Sequence, residues 1–600
     1  MPRGPRVAEK PKNFKGTLKR LIKSLSAYKF HMIIIFVFAI SSTIFAIVGP
    51  KILGNATTEI FNGLISKLSG GSGIDFNKIA SILILLLILY LVSSLFSYIQ
   101  GFIMTGITQK YTYNLRKKVV DKINRLPISY FDKKTHGETL SLITNDIDTL
   151  SHSLNQSATQ LVTSIVTIFG VLFMMLSINV PMTLISLLIL PFVAFISMFV
   201  VGKSQKHFKN QQEYLALVNG EIEEMYSGQN VIKVFNAEEK MLKKFEEDNE
   251  LLCESGWKSQ FLSGLMHPIM NFIGNIGYVA VAIVGGVFAI KGKITVGNIQ
   301  SFISYTKNFT QPIGQLAQVS NMIQSMIAAS ERVFEFLDEK EEPIRVKNPV
   351  SADNIKGYVE FKNVKFGYDE DRIIINNFSA NVKKGQKIAI VGPTGAGKTT
   401  IIKLLMRFYN INSGKILIDG NNIEDFNRSD LRNIFGMVLQ DTWLFSGTVM
   451  ENLRYGRLDA TDDEVIEAAK AAHVHHFIQT LPDSYNMQLN EETDNISQGQ
   501  KQLLTIARAI LADPKILILD EATSSVDTRT EILIQKAMDE LMKGRTSFII
   551  AHRLSTIKNA DLILVMKDGD IVEQGTHEQL LDKNGFYASL YNSQFEETTC

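Results

Sequence analysis

Two features are scarce in this 600-residue sequence, namely cysteine and an excess of charge of one sign. The two cysteines, Cys253 and Cys600, are far apart and form no C-x-x-C pair, which argues against a disulfide framework and against a thiolate metal site. The formal net charge is only +2, so the charge balance does not indicate nucleic acid as a partner. Length and hydrophobic patterning therefore become the first guides to the fold.

Long apolar runs fill the first half of the chain, whereas the part beyond about residue 350 has the charge content of a soluble α/β domain. A helix needs about 20 apolar residues to cross a bilayer, and six stretches reach that length. They lie near 31–52, 79–105, 157–178, 181–203, 262–290 and 297–325, and the last of them is the most polar. The sequence thus predicts a six-span α-helical transmembrane domain.

Positive charge predicts the orientation of these spans. Residues 1–30 carry nine Lys or Arg and one acid. The apolar run that follows is long and has no small-residue cleavage site, which favours a basic cytoplasmic flank over a signal peptide. The long loops 106–156 and 204–261 are also rich in lysine, so these loops and both termini are predicted to be cytoplasmic. Helical periodicity continues into both loops, and each loop contains a break suited to a short turn, at 126–132 in the first and at 227–230 in the second.

A glycine-rich segment at 392–399 (GPTGAGKT) has the phosphate-binding pattern G-x-x-x-x-G-K-[ST]. An apolar run over 387–391 predicts a strand before it, and a helical pattern begins at Thr399. Glycines let backbone N–H groups approach phosphate oxygens, lysine adds positive charge, and the threonine hydroxyl can bind Mg²⁺. We predict that a nucleoside triphosphate contacts Gly392, Thr394, Gly395, Gly397, Lys398, Thr399 and Thr400.

An apolar run at 516–521 (ILILDE) ends in two carboxylates. A buried parallel strand with acids at its carboxyl end would place them beside the phosphate loop. Asp520 is then predicted to hold Mg²⁺, and Glu521 to polarise the attacking water. The alternative is a core strand that ends in a solvated acidic turn, and the phosphate loop upstream disfavours it.

The segment ISQGQ at 496–500 precedes a helical run, so Ser497 and Gly499 lie at a helix N-terminus, where anions bind. This segment resembles the LSGGQ signature of ATP-binding cassette (ABC) exporters, with Gln498 in place of the first glycine. Further matches follow in order and cover nearly the whole chain. The resemblance implies that Ser497, Gly499 and Gln500 contact ATP.

The same resemblance implies roles for other residues. Tyr368 matches the aromatic residue on which adenine stacks, Gln440 the glutamine that contacts Mg²⁺ and the membrane domain, and His552 the histidine that reaches the γ-phosphate. The implied catalytic set is Glu521, His552 and Gln440, and the implied Mg²⁺ ligands are Thr399, Gln440 and Asp520. Residues 126–131 and 144–146 match the first coupling region, and 524–527 match the loop between two nucleotide domains.

The implied fold is an α-helical six-span transmembrane domain fused to an α/β P-loop ATP-binding cassette domain. Its predicted parts are a basic segment at 1–30, the transmembrane domain at 31–327 with coupling regions near 126–146 and 227–238, a linker at 328–352, and the nucleotide-binding domain at 353–600. One nucleotide domain and six spans make half of an exporter, so a second subunit is implied. The ISQGQ form favours a heterodimer over a homodimer.

The implied function is ATP-driven export of an amphipathic drug, lipid or peptide across the inner (plasma) membrane by alternating access. Two polar helix faces give the available indications about the cargo. They consist of Asn308, Gln311, Gln315 and Gln318 in the sixth span and of His267, Asn271 and Asn275 in the fifth. They either line a cavity or form hydrogen bonds between helices. The alternatives are a lipid flippase and an ATP-gated channel or regulatory protein, and Glu521 and His552 argue against the last.

Overall fold

The structure is a computed structural model of the chain, and it describes residues 11–343, 346–369, 372–439, 442–490, 495–520, 527–550 and 557–595. The chain divides into two compact units. The first comprises Met1–Asn124 and Lys134–Glu339, and the second comprises Arg125–Lys133 and Lys340–Cys600. The short segment Arg125–Lys133, which lies in the first predicted coupling region, therefore belongs with the C-terminal half of the chain.

Long helices build the described part of the first unit. A 3₁₀ turn at Leu25–Tyr28 joins α1 to α2, and a π-helical turn at Leu142–Asp146 joins α5 to α6. In chain order, and with α4 belonging to the second unit, the helices are α1 (Phe14–Ser24), α2 (Lys29–Leu68), α3 (Phe76–Ile123), α4 (Ile128–Lys133), α5 (His136–Ser141), α6 (Ile147–Ile178), α7 (Val180–Leu187), α8 (Ile189–Ser227), α9 (Gln229–Val234), α10 (Glu238–Ile290) and α11 (Val296–Asp338).

Four helical segments in the described part of the chain are long and apolar enough to cross a membrane. They are Phe14–Leu68, Phe76–Ile123, His136–Ile178 and Glu238–Ile290. The two other predicted spans are also helical, but 181–203 is divided between α7 and α8 at Leu188. The span 297–325 lies in α11 and carries Lys307 and several amide side chains. The unit is thus a helical transmembrane domain.

Small residues let α2 and α11 pack in backbone contact. A Cβ atom on Gly297 would lie 1.7 Å from the carbonyl oxygen of Gly54, so neither helix could approach as closely with a larger residue there. Beside this contact, the Ser301 hydroxyl donates to the Pro50 carbonyl at 2.9 Å. The Tyr305 hydroxyl donates to a carbonyl of α2 at 2.9 Å. These bonds satisfy polar groups that hydrocarbon would leave without partners.

The π-helical turn at Leu142–Asp146 holds a buried carboxylate. Arg332 of α11 donates from Nε to Oδ2 of Asp146 at 3.0 Å and from Nη2 to Oδ1 at 2.5 Å. A two-point bond between guanidinium and carboxylate fixes direction as well as distance. Asp146 closes the predicted first coupling region, so this bond ties its return segment to the end of α11.

The described part of the second unit contains two main sheets and short helices. Its strands are β1 (Val359–Phe366), β2 (Ile375–Val382), β3 (Lys387–Val391), β4 (Ser413–Ile418), β5 (Asn421–Asn422), β6 (Phe435–Val438), β7 (Gly447–Thr448), β8 (Gln488–Leu489), β9 (Ile516–Asp520), β10 (Thr546–Ile550), β11 (Leu562–Lys567) and β12 (Asp570–Gly575). Its helices beyond α4 are α12 (Lys398–Leu405), α13 (Arg428–Asn433), α14 (Val449–Arg454), α15 (Asp462–Ala471), α16 (His475–Thr480), α17 (Gln498–Ala512), α18 (Thr528–Met542), α19 (His577–Asp582) and α20 (Phe586–Phe595).

The larger sheet has the strand order β12-β11-β3-β10-β9-β6. All its pairs are parallel except that of β11 with the edge strand β12. Side chains of β3 alternate between two apolar clusters, since Ile388 and Ile390 join one and Ala389 and Val391 join the other. The four-stranded antiparallel sheet β2-β1-β4-β5 packs into the first of these clusters. Parallel order brings the carboxyl ends of β3, β9, β10 and β6 to one edge, which is where open α/β sheets bind ligands.

Candidate functional site

The phosphate loop leaves β3 and enters α12 through three glycines with positive φ. The φ angles of Gly392, Gly395 and Gly397 are 155°, 85° and 97°, a region that only glycine adopts without strain. Space is also limiting, because a Cβ atom on Gly392 would lie 2.3 Å from the carbonyl oxygen of Met566. One on Gly397 would lie 2.7 Å from Cδ1 of Ile375. The loop backbone is therefore held in a shape that leaves room for no side chain at these two positions.

Gly392→Ala should lower the ATPase rate by about 10²-fold, because the added Cβ forces the loop away from Met566 and misplaces its N–H groups. ATPase assays of the purified chain would measure this. Gly420→Ala is a matched control, since Gly420 also has positive φ (82°) but a Cβ there meets nothing within 4 Å. Equal losses in the two variants would contradict the prediction, because the loss would then reflect backbone strain alone.

Lys398 is the first residue of α12, and its side chain curls back over the loop. Its Nζ donates to the carbonyl oxygens of Gly392 at 2.7 Å and Pro393 at 3.1 Å. Burial lowers the pKa of Lys398, and the carboxylate of Asp520 acts in the opposite direction. The ammonium group is thus held at the loop, near the end of β9, at a helix N-terminus that itself favours anions.

The predicted Mg²⁺ ligands in the described part of the chain are Thr399 and Asp520. Thr399 is exposed in the first turn of α12, and Asp520 ends β9, two strands from β3 in the sheet. Hydroxyl and carboxylate oxygens are the donors that Mg²⁺ accepts, usually together with waters and phosphates of the substrate. No group of three His, Cys, Asp or Glu that could hold a metal occurs among the described residues.

Tyr368 lies in a cluster of aromatic rings beside α12. Tyr368 is 37% exposed, and its ring packs edge-on against Tyr409 at 4.9 Å and Phe366 at 5.0 Å. Its hydroxyl lies 3.3 Å from Oγ1 of Thr400, which is buried. The exposed part of the Tyr368 ring is available for stacking, whereas Thr400, a predicted ATP contact, is bonded to that tyrosine.

The aromatic cluster also contacts the segment Arg125–Lys133. The Tyr409 hydroxyl donates to Asp132 in α4, and Nζ of Lys403 lies 3.4 Å from Oδ2 of the same carboxylate. Burial and the bond to Asp132 raise the pKa of Tyr409, so this hydroxyl stays protonated and donates. Sequence reasoning missed this contact, because no local pattern pairs residues 277 positions apart.

The signature segment caps α17. Ser497 accepts a bond from the backbone of Gln500 at 3.4 Å, and Oε1 of Gln500 accepts from the backbone of Ser497 at 2.9 Å. This reciprocal pair is a capping box, and the pattern S-x-x-Q could have predicted it. Gly499 is buried, whereas Gln498 is exposed and donates from Nε2 to Oγ1 of Thr442 at 3.3 Å.

Gln440, Glu521 and His552 lie outside the described residues. The strands that precede them end at Val438, Asp520 and Ile550, at the sheet edge where β3 enters the phosphate loop. The loop 524–527 lies outside as well except for Asp527, which caps α18. The side chain of His267 in the fifth predicted span is likewise not described.

Comparison with known proteins identifies both units. Residues 32–313 match the family model of the ABC transporter transmembrane region, and residues 375–524 match that of the ABC transporter. The uncharacterized ABC transporter ATP-binding protein YfiC of Bacillus subtilis is 44% identical over 99% of this chain and 97% of its own length. The fatty acid ABC transporter ATP-binding/permease protein of Mycobacterium bovis is 46% identical over 98% of each chain.

The solved structure of a bacterial Atm1-family ABC exporter with ATP bound is 27% identical, with a TM-score of 0.73 over 96% of this chain and 99% of that one. It shares with this chain a helical transmembrane domain followed by an ATPase domain with a central sheet. The chain therefore belongs to the ABC transporter family, as an exporter in which a transmembrane domain is fused to the ATPase that drives transport.

Proposed function

We propose that this chain is one half of an exporter that moves an amphipathic substrate across the plasma membrane by alternating access. The phosphate loop carries the proposal, because the ammonium group of Lys398 is already held there by two loop carbonyls. In the proposed topology α2, α3, α6, α7 with α8, α10 and α11 supply six spans. The nucleotide domain and both termini are cytoplasmic.

The proposed domains are a transmembrane domain at 31–327, a linker at 328–352 and a nucleotide-binding domain at 353–600. The division between the two compact units after Glu339 falls inside this linker and supports the assignment. Because α11 continues to Asp338, the first part of the linker is helical. In its described later part, the backbone N–H of Val346 donates to Oδ1 of Asn427, the residue just before α13, at 3.1 Å.

Each ATP is proposed to lie between the phosphate loop of one chain and the signature of its partner. Lys398 and the α12 N-terminus hold the phosphates, and the adenine stacks on Tyr368. Glu521 orients the attacking water. Gln440 would contact the metal, and His552 would contact the γ-phosphate. Mg²⁺, when bound at Thr399 and Asp520, supplies charge that neutralises the phosphate oxygens. Positioning and charge do most of the work in phosphoryl transfer, so a site without its partner is proposed to be nearly inactive.

A heterodimer is favoured over a homodimer. Gln498 replaces the first signature glycine, and its amide bonds to Thr442 of the same chain. That amide stands at the N-terminus of α17, where the signature is proposed to meet the partner's ATP. A partner with an unmodified signature would complete the site on this chain's phosphate loop.

The polar face of α11 supports an amphipathic cargo. Asn308, Gln311 and Gln318 are exposed, while Gln315 accepts a bond from Ser164 of α6 at 3.4 Å. One amide thus joins two helices, and the other three are free to line a cavity. The relative named as a fatty acid transporter supports a lipid-like substrate.

Transport into inside-out vesicles that contain the chain tests this function. We expect ATP-dependent accumulation of a labelled amphiphile, and none in vesicles that carry Glu521→Gln, because the attacking water is then not activated. Accumulation unaffected by Glu521→Gln would contradict the catalytic assignment. A flippase would move lipid between leaflets without accumulation in the vesicle lumen.

ATPase assays of the chain alone and with a second half-transporter test whether the exporter is a heterodimer. Full activity of the chain alone would contradict the heterodimer.

A further inference from the structure

Lys307 lies in the middle of the sixth predicted span and is exposed. It is eleven residues into α11, which places it roughly 16 Å from the start of that helix at a rise of about 1.5 Å per residue. A hydrocarbon core is about 30 Å thick, so this ammonium group is near its centre. Ionisable groups at this depth are costly and mark functional sites.

No carboxylate in the predicted spans is available to neutralise Lys307. The six predicted spans contain no Asp or Glu. Their other lysines, Lys51 and Lys203, lie at the ends of spans, and Nζ of Lys203 sits over the Phe199 ring at 5.1 Å. Within the part of the chain that the structure describes, Lys307 forms no ion pair. The membrane interior of this subunit is therefore positively charged around it.

Lys307 belongs to a polar stripe along one face of α11. The stripe consists of Gln300, Ser304, Lys307, Gln311, Gly314 and Gln318, whose spacing of four and three residues places them on one side of a helix. All are exposed except Ser304, which is half-buried. The opposite side of α11 carries Phe302, Tyr305 and Phe309, which are buried in an apolar cluster with other helices.

A stripe of amides around a cation would be poorly solvated by lipid tails, so it is proposed to face the transport cavity. The cavity then offers one fixed positive charge and neutral hydrogen-bonding groups on either side of it. Resting on the proposed function, we propose that Lys307 binds the anionic head group of the cargo, an acyl amphiphile with a carboxylate or a phosphate. The amides above and below it hydrogen-bond to the same head group.

Equilibrium binding to the full chain in phosphatidylcholine nanodiscs tests this proposal. The probes share one oleyl tail and differ in head group, namely oleate, oleyl phosphate, oleamide and oleyl trimethylammonium. We expect the wild type to bind the preferred anion about tenfold more tightly than the amide, since a hydrogen bond to a charged group is stronger than a neutral one. A preference for oleate over oleyl phosphate, or the reverse, identifies which anion the site takes.

Lys307→Gln should abolish this preference, whereas Lys307→Arg should retain it. Lys203→Gln is the matched control, because it removes a membrane lysine that is not on the stripe and should leave the preference unchanged. ATP binding by each variant reports that it has folded. The preference is a ratio of affinities, so a general loss of protein does not alter it.

The proposal is overturned if the wild type prefers the amide or the cation, or if Lys307→Gln keeps the wild-type preference. The second result is also expected if a carboxylate of a partner subunit pairs with Lys307. Binding requires no hydrolysis, so this test is independent of transport. A head-group preference without ATP-dependent transport would support the site and contradict the proposed function, and transport without a preference would do the reverse.

Discussion

Lys398→Met should lower the ATPase rate by about 10²- to 10³-fold, the cost typical of removing one group that stabilises charge in a transition state. In the structure the ammonium group is held by two loop carbonyls and lies near Asp520, so it is positioned before any nucleotide arrives. Phosphate oxygens would replace these carbonyls as its partners. Methionine has a similar length but neither the charge nor the donors, so both the binding of the outer phosphates and the hydrolytic step should suffer.

Lys415→Met is a matched control for this prediction. Lys415 is exposed on β4, which belongs to the antiparallel sheet and not to the sheet that carries the phosphate loop, and its replacement also removes one positive charge. We expect its ATPase rate to equal that of the wild type. Steady-state rates combined with nucleotide-binding measurements separate lost affinity from lost turnover. A Lys398→Met chain with turnover close to the wild-type value would contradict the role assigned to this lysine.

The phosphate loop could be predicted from the sequence because its determinants are local. The apolar run 387–391 forms β3 at the predicted bounds, and α12 begins at Lys398, one residue before the predicted start. The run that ends in Asp520 forms the buried strand β9. Glycine spacing and apolar runs act over a few residues, so they can be recognised without knowledge of the rest of the chain.

Contacts between distant segments could not be predicted in this way. The bond from Tyr409 to Asp132 joins α4 to the aromatic cluster around Tyr368, and nothing near either residue indicates it. The strand order of the large sheet could not be predicted for the same reason. Membrane spans could be predicted in part, because α11 is helical as predicted but its amides and Lys307 weaken the apolar pattern by which spans are recognised.

Glu342 is another residue that sequence reasoning missed, and the structure makes it the centre of a buried ion cluster. Its carboxylate accepts bonds from Arg428 and, at 2.8 Å, from Nη2 of Arg432, both in α13. The side chains of Glu342 and Arg428 are 13% and 7% exposed. The backbone N–H of Glu342 donates to the carbonyl of Arg125 at 2.9 Å, just before α4. One linker residue thus joins the predicted first coupling region to α13, which leads into β6.

Glu342→Ala should destabilise the second unit by about 3–5 kcal/mol, because it leaves the buried guanidinium of Arg428 without its carboxylate. Among the described residues, Arg428 would retain only the bond from Nη2 to Oδ1 of Asn410 at 3.0 Å, which carries no compensating charge. For a domain of this size the loss corresponds to a decrease in Tm of roughly 6–20 °C. Differential scanning calorimetry of the full chain measures it in the transition that ATP stabilises, since ligand binding identifies the nucleotide unit.

Asp459→Ala provides the comparison, because Asp459 is 90% exposed and lies 3.9 Å from Arg457. An exposed ion pair of this kind contributes about 0–1 kcal/mol, so the Tm should hardly change. Glu342→Gln keeps the shape of the side chain and one acceptor but removes the charge. Its Tm should therefore lie between those of the wild type and of Glu342→Ala. If Glu342→Ala and Asp459→Ala lower the Tm equally, the cluster does not stabilise this unit. If only the Glu342 variants lower the Tm, buried charge holds the linker to α13. Loosening the linker should then also weaken the coupling of ATP hydrolysis to transport.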